Sequence, residues 1–150
     1  MSTYTQILYQ IVFGSKNYTH FLNQANQDVL YNYIAGICMQ KKCKPYKIGG
    51  YSNHIHMIVC LHPSQNLSGL IKDVKTASNY MMLKKTELFS LFPGWQVGYG
   101  SFTYNYSVKN RLIEYVAGQA EHHKKINFQQ ELIAFCDEFG IEYDSKYLIK

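Results

Sequence analysis

The segment YSNHIHMIVCL, residues 51–61, alternates with a period of two along most of its length. Ile55, Met57, Val59 and Leu61 therefore line one side of a strand, and His54, His56, Ile58 and Cys60 line the other. Two histidines at i and i+2 project side by side, placed to share one divalent ion. Burying two imidazoles without partners is unfavourable, so something must compensate. A metal ion is the simplest candidate; an ordinary packed pair satisfied by its neighbours is the alternative.

Reading outward, residues 5–13 alternate as a strand, with Ile7, Tyr9, Ile11 and Phe13 on one side and Gln6, Leu8, Gln10 and Val12 on the other. Asn26 or Asp28 opens a helix to about Lys41 whose apolar stripe is Leu30, Tyr33, Ile34 and Ile37. Pro45 and the Gly49-Gly50 pair bracket a short strand over residues 46–48. A helix over residues 67–84 carries Leu67, Leu70, Ile71, Val74 and Ala77 at helical spacing. Pro93-Gly94 breaks the chain before a strand over residues 95–104, loosened by Gly98 and Gly100. Ser107 caps a helix to about Lys124. A last helix starts after Asn127 and stops at Gly140, a favourable residue just past a helix end. The order β-α-β-β-α-β followed by helices predicts an α+β fold: a ferredoxin-like (split βαβ) antiparallel sheet with helices on one face plus C-terminal helices. The other face is expected to stay free for ligand.

Length and composition set the frame. The chain of 150 residues reads as one domain, and 47% hydrophobic with 17% charged residues is the composition of a folded protein. Fifteen Lys+Arg against ten Asp+Glu give a formal net charge of +5, which suits a polyanionic partner. The fourteen tyrosines fit stacking on unpaired bases as well as packing in a sheet. Cys38, Cys43, Cys60 and Cys136 form no CxxC pair and do not predict a zinc site. The start, MSTYTQILYQ, lacks a basic n-region and an apolar core, and no apolar run approaches the roughly 20 residues of a membrane helix. A soluble, cytoplasmic protein without a signal peptide is the expectation.

The helix near residues 107–124 holds the second group of interest. Helical spacing brings Tyr115 and Gln119 onto one face, at the edge of a stripe formed by Val108, Leu112, Ile113, Val116 and Ala120. That edge suits a phenol facing a cleft and equally suits an amphipathic packing residue. His122 returns to nearly the face of Tyr115. With His123 it reads either as an auxiliary group at the site (substitute ligand, proton shuttle or phosphate contact) or as a solvated final turn that favours the helix dipole. Lys41, Lys42, Lys44 and Lys47 form the densest basic run, and Lys72 and Lys75 lie on the second helix. Together they are candidates for phosphate contacts; each singly reads as a solvated charge.

HIH in a strand, then WQVGYGSF (residues 95–102), YVAGQAEHH (115–123) and NFQQEL (127–132) resembles the single-tyrosine HUH transposases. These are the small insertion-sequence transposases that move as single-stranded DNA and the REP-associated tyrosine transposases. YQIVFGSK (9–16) and LSGLIKDVKTASNYM (67–81) fit the same pattern, so the resemblance spans nearly the whole chain. It implies that His54, His56 and Gln119 hold a divalent metal, Mg²⁺ or Mn²⁺, and that Tyr115 is the nucleophile. The implied reaction is cleavage and strand transfer of single-stranded DNA beside hairpins, through a 5′-phosphotyrosine. The resemblance also implies a homodimer, although REP-associated relatives can be monomeric. The alternatives are an inactive or domesticated single-stranded nucleic-acid-binding module of the same fold and, more remotely, a metal-binding structural protein.

Overall fold

A computed structural model describes residues 2–144. Four strands, β1 (Leu8–Gly14), β2 (Lys44–Tyr51), β3 (His54–Cys60) and β4 (Gly100–Tyr104), form one sheet in the order β2-β3-β1-β4. Every neighbouring pair is antiparallel. Helix α1 (Gln27–Gln40) links β1 to β2, and α2 (Leu67–Lys84), with the short α3 (Thr86–Phe89), links β3 to β4. This is the expected split βαβ sandwich. The first crossover skips one strand position, and β3 fills it.

The sheet face carrying Ile11, Phe13, Ile55, Met57 and Val59 packs on Leu30 and Ile34 of α1 and on Leu70, Ile71 and Val74 of α2. Continuous burial of these side chains is the main driving force for the layer. Tyr33, expected in the buried stripe, is instead partly exposed, because Ile34, Ile37 and Cys38 already fill the space under α1. Asn66 caps α2, its Oδ1 accepting from Gly69 N at 2.6 Å.

Strand β1 starts at Leu8 rather than Thr5, and three further expectations about the sheet need correction. First, β2 is longer than residues 46–48 and runs through Pro45 and both glycines. As an edge strand it tolerates proline, and a register shift at Tyr46 absorbs the irregularity. Second, β4 is shorter than residues 95–104: Gly98 sits at φ +93° and breaks the ladder, leaving Trp95 in an isolated bridge with Ser15. Third, the second sheet face is covered. Helices α4 (Lys109–Ala117), α5 (Gln119–His122) and α6 (Phe128–Glu138) follow β4. Leu112 and Val116 pack on Leu8 and Ile58, and Phe128 and Phe135 join Val12 and Phe102.

Two glycines are required by this packing. Gly50 has φ +152°, and a Cβ there would lie 2.2 Å from the His54 backbone oxygen. Gly50→Ala is expected to cost more than about 2 kcal/mol, read as a lowered denaturation midpoint at unchanged slope. Gly14 lies opposite His54, and a Cβ there would meet the Phe128 ring at 2.9 Å. Its bare backbone lets Phe128 stack on the His54 imidazole, with centroids 4.1 Å apart and planes 7° from parallel.

Candidate active site

Both histidines of β3 are fully buried beneath the C-terminal helices. The 107–124 helix expected as one piece is broken. A 3-10 turn (Tyr106–Val108), capped by Asn105 rather than Ser107, precedes α4, and Gly118 separates α4 from α5. The break falls between Tyr115 and Gln119, yet both turn toward the β3 histidines. His54 Nε2 lies 2.9 Å from Gln119 Oε1, and the Tyr115 ring lies 5.9 Å from that of His56. The strand pair and the tyrosine helix therefore meet within one chain.

Sequence reasoning missed the residue that joins them. Glu131 of α6 is 1% exposed. Its Oε1 lies 3.1 Å from His56 Nε2, 3.1 Å from His123 Nε2 and 3.5 Å from His54 Nε2. Its Oε2 accepts from the Tyr115 hydroxyl and, at 3.1 Å, from Gln119 Nε2. His122 Nε2 lies 3.3 Å from Oε2 and 3.2 Å from the Tyr115 oxygen. The signal was present: Glu131 falls three residues after Phe128 and four before Phe135, on the apolar stripe of its helix, where a carboxylate needs partners. A capping box fixes where that helix starts, with Asn127 Oδ1 accepting from Gln130 N and Gln130 Oε1 from Asn127 N. Asn127→Ala is expected to cost about 1 kcal/mol, measurable by chemical denaturation.

His123 also belongs to the cluster. Its Nε2 is 2.9 Å from Gln119 Oε1, its Nδ1 is 2.9 Å from the Ile126 carbonyl, and its ring stacks on Tyr51. One ligand atom each from His54, His123 and Glu131 fall within 4.8 Å of one another. His56 stands beside this group through Glu131, and its Nδ1 faces Gln10 Oε1 at 2.9 Å. A cleft of about 340 Å³ lined by Tyr18, His20, Tyr51, Asn53 and His123 opens next to the cluster.

Burial disfavours charge on His54 and holds its imidazole well below the ordinary value, with His56 adding to the effect. For Glu131 burial acts upward, but hydrogen bonds from His123 and His56 outweigh it and keep the carboxyl well below the usual range. Burial, then the hydrogen bond and charge of Glu131, push the Tyr115 phenol above its ordinary value. Both His54 and Glu131 bind protons less readily folded than unfolded. Their contribution is thus fully present above the unfolded values, about 6.5 and 4.3, and is lost progressively as pH falls from these toward the lower folded values. In metal-free protein the denaturation midpoint is expected to drop from pH 7.5 to pH 5.5 and further near pH 4. A midpoint that stays level to pH 4 contradicts the assignment.

The lysines are less uniform. Lys41 pairs with Asp73. Lys75 Nζ donates to the Gln96 and Gly98 carbonyls at 2.9 and 2.6 Å, so it holds the glycine-rich loop. Lys72 is exposed and lines an open groove with Lys16, Trp95 and Tyr99. Lys44 lies over the Tyr46 ring at 5.2 Å, with Lys109 on the same ring at 4.8 Å. Lys42 is exposed at φ +62°, and Lys47 is partly buried on β2.

A family model described as "Transposase IS200 like" matches residues 3–119. A candidate transposase from Deinococcus radiodurans R1 has a similar fold, with TM-score 0.63 and 16% identity over 79% of this chain and 95% of that one. A REP-associated tyrosine transposase bound to a REP hairpin gives TM-score 0.60 and 14% identity over 84% of this chain and 76% of that one. No curated protein matches. Among the described residues no helix is long and apolar enough to cross a membrane.

Proposed function

The chain belongs to the IS200-like transposase family, and from that premise we propose a metal-dependent nuclease and strand transferase acting on single-stranded DNA beside hairpins. The observation that carries this reading is the shared carboxylate. Glu131 Oε2 takes the Tyr115 hydrogen bond while Oε1 sits among the imidazoles, which fixes the phenol beside a cluster of metal donors.

The donor set fits a divalent ion. Gln119 Nε2 donates to Glu131, so its Oε1 must face His54, and His54 Nδ1 already faces Asn53 Oδ1. A neutral imidazole has one proton for these two oxygens, so a cation is the natural neighbour of the remaining lone pairs. His54, His56 and Gln119 would hold Mg²⁺ or Mn²⁺. A bound ion would supply positive charge to polarise the scissile phosphate and to offset its repulsion of an incoming phenolate.

The protein's own groups do the rest. Glu131 orients Tyr115 Oη and is the nearest acceptor for its proton. Oη bonds to phosphorus, the bond to the 3′-oxygen breaks, and that oxygen takes a proton from water. The products are a 5′-phosphotyrosine and a free 3′-hydroxyl. Because the linkage keeps the phosphoester energy, a second 3′-hydroxyl reverses the step and joins strands. The hairpin-bound relative of similar fold supports hairpin-bearing DNA as the substrate class, and Lys44 and Lys72 are candidate phosphate contacts. The reading includes a homodimer joined at a sheet edge, but the tyrosine reaches its own chain's histidines.

The test uses labelled single strands carrying the hairpins that flank the coding region. Cleavage and a protein–DNA adduct are expected with Mn²⁺ or Mg²⁺, and neither with chelator. Binding without cleavage in every metal would instead point to a nucleic-acid-binding module.

A further inference from the structure

Each of three imidazoles has both ring nitrogens facing oxygen. His54 lies between Asn53 Oδ1 at 2.8 Å and Gln119 Oε1 at 2.9 Å. His56 lies between Gln10 Oε1 and Glu131 Oε1. His123 lies between the Ile126 carbonyl and the pair Gln119 Oε1 and Glu131 Oε1. Ile126 offers a backbone oxygen, and Gln119 is oriented by its donation to Glu131, so the polarity at His123 is fixed. With one proton per neutral ring, each ring leaves one nitrogen lone pair opposed to an oxygen lone pair. Protonating all three rings instead would bury three positive charges around one carboxylate, at a large desolvation cost. Among the described residues Glu131 has no lysine or arginine in its ion pairs, only histidines.

With an ion bound, proton placement at Nδ1 resolves the conflict on the outer side of each ring. It leaves Nε2 of His54, His56 and His123 and the oxygens of Gln119 and Glu131 facing inward without hydrogens. Metal-bound histidines are commonly oriented in this way, the outer N–H held by an oxygen. We propose that Glu131 and His123 are themselves ligands of the divalent ion, added to the two strand histidines and Gln119, with Glu131 bridging the ion through Oε1 and the nucleophile through Oε2. The proposal rests on the reading above and deepens it. Both residues lie outside the matched region 3–119, on the turn after α5 and on α6.

The set has consequences for the ion. Imidazole nitrogens and a single carboxylate suit Mn²⁺ and later transition ions, whereas Mg²⁺ prefers oxygen and retains its waters. The chain should therefore bind Mn²⁺ at least about tenfold more tightly than Mg²⁺.

Calorimetric titration of metal-free protein with Mn²⁺, without DNA, tests this. Glu131→Gln and His123→Ala are each expected to weaken Mn²⁺ binding by about tenfold or more. If both variants bind Mn²⁺ like the parent while His54→Ala does not, the added ligands are refuted and the metal reading stands. If the parent binds no Mn²⁺, both fail. Should Glu131→Gln not fold, His123→Ala decides: unchanged affinity there overturns the proposal.

Discussion

Tyr115→Phe is expected to fold normally and to lose covalent attachment to DNA entirely, with strand cleavage down by at least about 10⁴-fold. The ring keeps its edge contacts with His56 and Phe135, so packing is preserved. What disappears is one oxygen. Glu131 retains Gln119 Nε2 and its histidine partners, so losing the phenolic hydrogen bond should cost only about 1–2 kcal/mol of stability. A denaturing gel separates the two effects: a folded variant without a shifted DNA band. An adduct that survives Tyr115→Phe would assign the nucleophile elsewhere.

His54→Ala should reduce cleavage by at least about 10³-fold and remove Mn²⁺-dependent stabilisation against heat. His54 has no solvent exposure, and it is positioned from three sides: Asn53 at Nδ1, Gln119 at Nε2 and the Phe128 ring on its face. Its removal opens a polar cavity under α6, so part of the effect is structural. The thermal shift on adding Mn²⁺ isolates the metal contribution. A His54→Ala protein that still gains stability from Mn²⁺ as the parent does would take His54 out of the metal site.

Much of this was legible in residue patterns, and the reasons differ by element. Alternation in β1 and β3 is strong because each face meets a different layer, so one misplaced residue would bury a polar group. Helix α2 was readable because its apolar spacing is regular over its whole length. Elements shaped by tertiary contacts were less readable. Strand β2 keeps two glycines inside the ladder because Gly50 must pass the His54 carbonyl. The tyrosine helix breaks at Gly118, a C-cap that local periodicity does not reveal. His54, His56, Tyr115 and Gln119 were identifiable as a set, and the fold gathers them. Glu131 lies within NFQQEL, but a single acid on an apolar stripe shows its meaning only once its partners, His123 close by and His54 far back along the chain, are in place. The sheet face expected to be open is the roofed side, and that roof carries Tyr115, the proposed nucleophile.

The most direct measurement is peptide mapping by mass spectrometry of the protein–DNA adduct formed on the element's own hairpin end in Mn²⁺. The account predicts a nucleotide joined through its 5′-phosphate to Tyr115. Attachment at any other residue, or cleavage that leaves no covalent intermediate, would contradict it.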